Sequence, residues 1–201
     1  ETRLDGSNLS RANLSESYLR GASLKGATLS EANLRGAILT KALFLDANLR
    51  GADLADANLS GADLSRADLT GANLKGAKLN GANLTSAILD EADISLANIN
   101  KANLSGVIAG GTNFSGANLA GAILVGAKLN GAVLGGAILS EADLSDAEMR
   151  DANLNLANLR GATMNQVILV GGNLRDAIMG RVALSGADLS GCDLSRANLS
   201  I

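Results

Sequence analysis

Large apolar residues occupy 39 of the 40 positions spaced five apart from Leu4 to Leu199, without one slip of frame. Thirty-two of these 40 positions are Leu, and the exceptions are Phe44, Ile94, Ile99, Ala109, Phe114, Met149, Met164 and Met179. Two residues earlier, 31 of 40 places are Ala, and the nine replacements, among them Ser7, Val107, Thr112, Gly172 and Cys192, are small or β-branched. Between the two lies a mostly polar residue, Asn at 15 places and Asp at 7. This small, polar, large triplet alternates in, out, in, as a half-buried strand does. Five is odd, so a straight strand would turn every second leucine outward. The chain must therefore turn a corner in each unit. Gly fills 20 of the 40 places two residues after the large one, where a tight bend needs freedom in φ. A period of five fits neither the 3.6-residue helical turn nor a heptad. Units this short cannot fold singly, and the pattern predicts a solenoid of very short strands and corners.

Charge predicts the number of sides. Residues stacked in successive laps lie about 4.8 Å apart, where like charges repel. A spacing of 20 pairs Asp5 with Lys25, Arg11 with Glu31, Asp46 with Arg66, Lys128 with Glu148 and Asp176 with Arg196, and pairs no like charges. A spacing of 15 gives eight like pairs against six opposite, and a spacing of 25 gives seven against three. Four units per lap are predicted: an all-β rod of about ten laps, about 48 Å long at the usual strand separation, with residues 1–201 as one domain. The motif is weakest at 107–112, around the small Ala109, which predicts a local irregularity or a junction between two halves. The Asn and Asp residues of the outward slot are expected to satisfy backbone groups at the corners.

Runs such as Gly51-Ala52-Asp53-Leu54-Ala55-Asp56-Ala57-Asn58-Leu59-Ser60 resemble the pentapeptide repeat family, and the resemblance covers essentially the whole chain. It implies a right-handed, four-sided (quadrilateral) parallel β-helix with Leu and the preceding Ala inside. The right hand comes from the resemblance alone. Long, insertion-free arrays of this type are most similar to cyanobacterial members, as in Nostoc.

Composition narrows the chemistry. The chain has no His, which removes the commonest general base and the usual nitrogen ligand for metals. Serines are abundant, but no base stands at a fixed offset from them. The Gly-rich stretch from Gly106 to Gly116 lacks a Walker lysine, and no Gly-Gly-X-Gly-X-Asp calcium repeat occurs. Paired carboxylates such as Asp53 with Asp56 and Asp90 with Glu91 read as a solvated face. Neither an enzyme, nor a metal site, nor a cofactor is expected. The single cysteine, Cys192, stands in an inward Ala slot and reads as a small buried residue. A disulfide within the chain is excluded, which fits a cytoplasmic location. No run of eighteen apolar residues exists and no signal-peptide hydrophobic region is visible, so no membrane partner is predicted. The start at Glu1 leaves room for a lost leader.

The resemblance also implies an activity, mimicry of DNA in the groove of a type II topoisomerase such as DNA gyrase. A rod of about 48 Å would need some 28 negative charges to match duplex DNA. This chain has 20 acidic residues against 17 basic ones, a net charge of −3. The acids do not form one stripe: the cluster Asp46, Asp53, Asp56, Asp63, Asp68 is separated by several laps from Glu141, Asp143, Asp146, Glu148, Asp151. Direct nucleic-acid binding is not expected either, because the basic residues are scattered and outnumbered. The expected function is a non-catalytic structural or protein-interaction rod with an unidentified protein partner. The gyrase-inhibiting mimic is the alternative.

Outward apolar residues are the candidate contact points. Ile88 and Ile108 occupy the same outward slot in adjacent laps and form the candidate partner patch, with Ile123, Val133 and Ile138 following on other sides. The last lap, Ala183 to Ile201, presents Leu184, Leu189, Leu194 and Leu199 beside open strand edges. Such edges invite pairing. This predicts either a closing cap beyond this sequence or an end-to-end homodimer.

Overall fold

The computed structural model describes residues 2–200. In each unit one residue, the polar one of the triplet, makes a parallel bridge with the residue 20 positions on, from Arg3 with Ser23 to Ile178 with Asn198. Four bridge positions and four two-residue turns make one lap of 20 residues. The lap is therefore square, as the charge pairs predicted. We number the faces in chain order: the first carries Arg3 and Ser23, the second Asn8 and Thr28, the third Asn13 and Asn33, the fourth Tyr18 and Ile38.

The backbone of one unit accounts for the repeat. Leu69 N–H donates to Ile88 O of the next lap (2.7 Å), Gly71 N–H to Asp90 O (2.9 Å), and Asn73 N–H to Ala52 O of the lap before (2.9 Å). Ala72 N–H closes the turn on Leu69 O (2.9 Å). Only the fifth donor, Thr70 N–H, lacks a main-chain acceptor, and it donates to Asp68 Oδ1 at 3.0 Å. That bond explains the outward Asn and Asp. All 22 of them accept from the N–H two residues on, at 2.9–3.3 Å. Where the slot holds another residue, the lap before sometimes substitutes. Asp5 serves Lys25 N–H, Asp90 serves Gly110, Asn130 serves Arg150 and Asn165 serves Ser185.

The second turn residue has a positive φ at every corner from Gly6 to Arg196, 20 glycines and 19 others. This is the left-handed conformation that a type II turn requires, and it is why glycine takes half of these places. Inside, the large residues stack over one another with the alanines between, and from Ala22 to Met179 nearly all are fully buried.

The expected irregularity at 107–112 is not there. Ile108 N–H donates to Ala87 O (3.0 Å), Ala109 N–H to Lys128 O (2.8 Å) and Gly111 N–H to Asn130 O (3.0 Å), the same pattern as in the other units that have a lap on both sides. The small Ala109 is offset within its own lap by Val107, Thr112 and Phe114, each larger than the usual residue of its slot and each buried. Close packing conserves volume per lap rather than per position. The buried Thr112 hydroxyl donates to Leu89 O at 2.6 Å, so its polar atom costs little.

Candidate interaction surface

Ile88 and Ile108 bridge each other on the second face, as predicted. Ile88 is half-buried and Ile108 is 37% exposed. Along the same face the pair lies between Asp68 and Lys128, so an apolar step is bracketed by opposite charges. The next lap places Ile123 (43% exposed), Val133 (37%) and Ile138 (40%) on the first, third and fourth faces. These belong to a belt of little charge: between Lys101 and Glu141 the chain has one charged residue, Lys128.

Two more exposed residues were not anticipated from the outward slot. Leu96 (64% exposed) and Leu156 (61%) sit at the second turn position, on the corner between the third and fourth faces. Both have φ of 60°. A left-handed backbone costs a bulky residue about 1–2 kcal/mol, and exposure to water returns nothing. The signal was present in the chain, because these are the only apolar residues in a slot otherwise filled by Gly, charged residues, Ser86 and Gln166 among the described corners.

Elsewhere part of the surface charge is paired between laps. Arg11 with Glu31 (2.8 Å), Arg66 with Asp46 (2.7 Å) and Arg196 with Asp176 (2.8 Å) form the predicted pairs between laps. Asp5 meets Lys25 through the main-chain N–H instead. Lys128 and Glu148 are bridged neighbours, but no ion pair forms between their side chains. Arg35 with Asp56 and Arg50 with Asp68 add diagonal pairs. These pairs are largely exposed, so solvent screens them and they add little to stability. The Arg66 guanidinium holds the Asp46 carboxyl below its ordinary value, and Arg11 does the same for Glu31. Burial pushes Asp68 upward, but the Thr70 hydroxyl and amide with Arg50 outweigh it, and the net direction is down. The hydroxyl and N–H of Ser190 lower Asp188, and those of Ser195 lower Asp193.

Cys192 is half-buried, and its thiol donates to Leu169 O at 2.8 Å. Burial raises its pKa above the ordinary thiol value, which keeps it protonated and unreactive. Among the described residues no group of three or more acidic or thiol side chains is placed to hold a metal ion, and no helix is long and apolar enough to cross a membrane. The hollows are shallow and on the surface, such as the one of about 480 Å³ lined by Arg20, Gly21, Lys41 and Leu43.

A square solenoid with a single-residue ladder on each face defines a narrow class of proteins. The chain belongs to the pentapeptide repeat family: eight copies of the Pentapeptide repeats profile match it, over segments from residues 1–36 to 177–200. It is similar to HetL, a pentapeptide repeat protein involved in heterocyst differentiation regulation from the cyanobacterium Nostoc sp. strain PCC 7120. The identity is 34% over 98% of this chain and 86% of that one, with a TM-score of 0.55. The pentapeptide repeat protein Rfr23 from the cyanobacterium Cyanothece 51142 is 35% identical over 48% of this chain and 66% of its own, with a TM-score of 0.45. QnrB1, a plasmid-mediated fluoroquinolone resistance protein, shares the fold at 22% identity over 77% of this chain and 85% of its own, with a TM-score of 0.56. No curated protein sequence matches the chain.

Proposed function

We propose that this protein is a non-catalytic rod, one right-handed domain of about ten laps, that works in the cytoplasm by holding a protein partner against its middle. The observation that carries the reading is the pair Ile88 and Ile108, stacked on one face at the edge of the charge-poor belt. Folding does not call for isoleucine there. The slot normally supplies an Asn or Asp acceptor for the fifth N–H, and at Ile108 that acceptor has to come from Asp90 of the lap before. An exposed apolar residue that also removes a backbone partner is better matched to binding than to stability. The likeness to HetL, a protein involved in regulating differentiation, supports a role exercised through other proteins.

The mimicry of DNA has less support. Of the acids, Glu31, Asp46, Asp56, Asp68 and Asp176 are each engaged by an arginine, so no continuous negative stripe faces outward along them. Stoichiometric protein is expected to leave DNA supercoiling by gyrase unchanged; inhibition would favour the mimic. The interaction reading is tested by crosslinking the rod to its partner in lysate of its host. Ile88→Ser with Ile108→Ser should weaken capture while thermal unfolding stays unchanged, and undiminished capture would refute the patch.

A further inference from the structure

The corner that carries Leu96 and Leu156 has a shape of its own. The two leucines stand three laps apart in one column, with Gly116 and Gly136 between them. Side chains in this column lean toward the following lap: a Cβ built on Gly116 would lie 3.0 Å from Leu96 Cδ2, whereas one built on Gly136 meets nothing within 4 Å. Leu96 therefore covers Gly116, and Gly136 is left as the floor of an open notch. Leu156 closes its far end, and Val133 and Ile138 rise on the two adjoining faces. At about 4.8 Å per lap the notch is about 10 Å long.

Charge frames it. One lap before Leu96 the corner and the fourth face carry Lys75 and Lys78, both exposed and without an ion pair among the described residues. One lap beyond Leu156 stands the exposed Arg175. Acids offset the cation at the Arg175 end, Asp193 as well as Asp176. Asp176 is held by Arg196 at 2.8 Å and Arg175 at 3.5 Å, and Asp93 Oδ1 accepts from Ser95 N–H and from Asn113 Nδ2. The corner is thus apolar at its centre, cationic at the Lys75 and Lys78 end, and charge-balanced at the other, where Arg175 is paired with Asp176.

Resting on the reading of the chain as a protein-interaction rod, we infer that this corner docks an amphipathic α-helix of a partner protein. The helix lies along the rod, with an uncharged apolar face on Leu96, Gly136 and Leu156 and acidic residues at the end that meets Lys75 and Lys78. One helical turn rises about 5.4 Å, close to the lap spacing of about 4.8 Å, so apolar residues one turn apart meet successive laps over this short span. From Lys75 to Arg175 is five laps, about 24 Å, the length of a helix of about 16 residues. A bulky partner side chain in the Gly136 notch would be enclosed on four sides, as a knob is in a hole. Such an anchor accounts for two leucines kept in a strained, water-exposed conformation.

The test is fluorescence anisotropy with a labelled synthetic helical peptide of about 16 residues, bearing leucines on one face and two glutamates at one end. Saturable binding is expected. Leu96→Ser with Leu156→Ser should weaken it at least about tenfold, exchange of the glutamates for lysines should weaken it about as much, and Ile123→Ser on the first face should leave it within about twofold. Three results overturn the inference: no saturation up to about 1 mM peptide, binding indifferent to the two leucines, or binding indifferent to the end charges. Circular dichroism of each variant confirms the fold. A host protein crosslinked equally to the wild type and to the leucine double variant would overturn the docking corner and leave the interaction-rod reading standing. A wild-type rod that binds the peptide but captures no host protein would do the reverse.

Discussion

Removing the Asp90 carboxylate isolates the contribution of the fifth N–H to the lattice. Asp90 Oδ1 accepts from Gly110 N–H at 2.7 Å because Ile108, in the slot that normally carries the acceptor, has none to offer. A hydrogen bond to a charged group contributes about 1.5–3 kcal/mol when buried. Both residues are half-buried, so water partly replaces the lost bond, and Asp90→Ala should cost about 1–2 kcal/mol. For a chain of this size that is a fall of about 2–8 °C in melting temperature by circular dichroism. The informative variant is the double one. Ile108→Asn puts an acceptor back in the usual slot, and Asp90→Ala in that background should cost under about 0.5 kcal/mol, a coupling of roughly 1 kcal/mol in the double-mutant cycle. Equal costs in the two backgrounds would refute the claim that the outward Asn and Asp are there for this donor.

Two further predictions concern the interior and acid stability. Alanine is the commonest residue in the slot of Gly172, yet a Cβ there would lie 2.8 Å from Leu169 Cγ and Cδ1 and 3.0 Å from Leu169 O. Leu169 already fills the space of that methyl, so Gly172→Ala should destabilise by about 0.5–2 kcal/mol, the overpacking cost less the gain from a stiffer unfolded chain; a raised melting temperature would contradict this. The carboxyls of Asp46, Asp68, Asp188 and Asp193 all lie lower in the folded chain than in the unfolded one. Their stabilisation is therefore complete above the ordinary value of 3.8 and lost as pH falls through the folded values. Unfolding midpoints in urea should drop below about pH 4, and Asp68→Asn with Asp188→Asn and Asp193→Asn, which keep an acceptor but cannot titrate, should flatten the drop. An unaltered acid profile in that triple variant would show that the caps do not titrate with folding.

Most of the fold was legible because one periodicity fixes both the inside and the corners. The frame of Leu4 to Leu199 gave the core, and the signs of pairs such as Arg11 with Glu31 gave the lap length. What was not legible is compensation between positions. Ala109 looked like a fault because its slot was read alone, while Val107, Thr112 and Phe114 restore the volume from other slots of the same lap. The supply of Gly110 N–H by Asp90 likewise crosses between laps, and is visible only once residue 90 is known to lie beside residue 110. Leu96 and Leu156 stand apart from the outward slot, in the turn slot, where any bulky residue must take a positive φ. The surface pattern therefore carries more functional information than the core, which repeats.

The central claim, a square lap of 20 residues, is tested most directly by the distance between two labels on one corner. Lys75→Cys and Arg175→Cys, spin-labelled in a Cys192→Ser background, lie in one column on exposed turn positions. Pulsed electron resonance should give a separation of about 24 Å, five laps at about 4.8 Å each. A triangular lap of 15 residues would place the labels on different sides nearly seven laps apart, and a distance of about 32 Å or more would contradict the account.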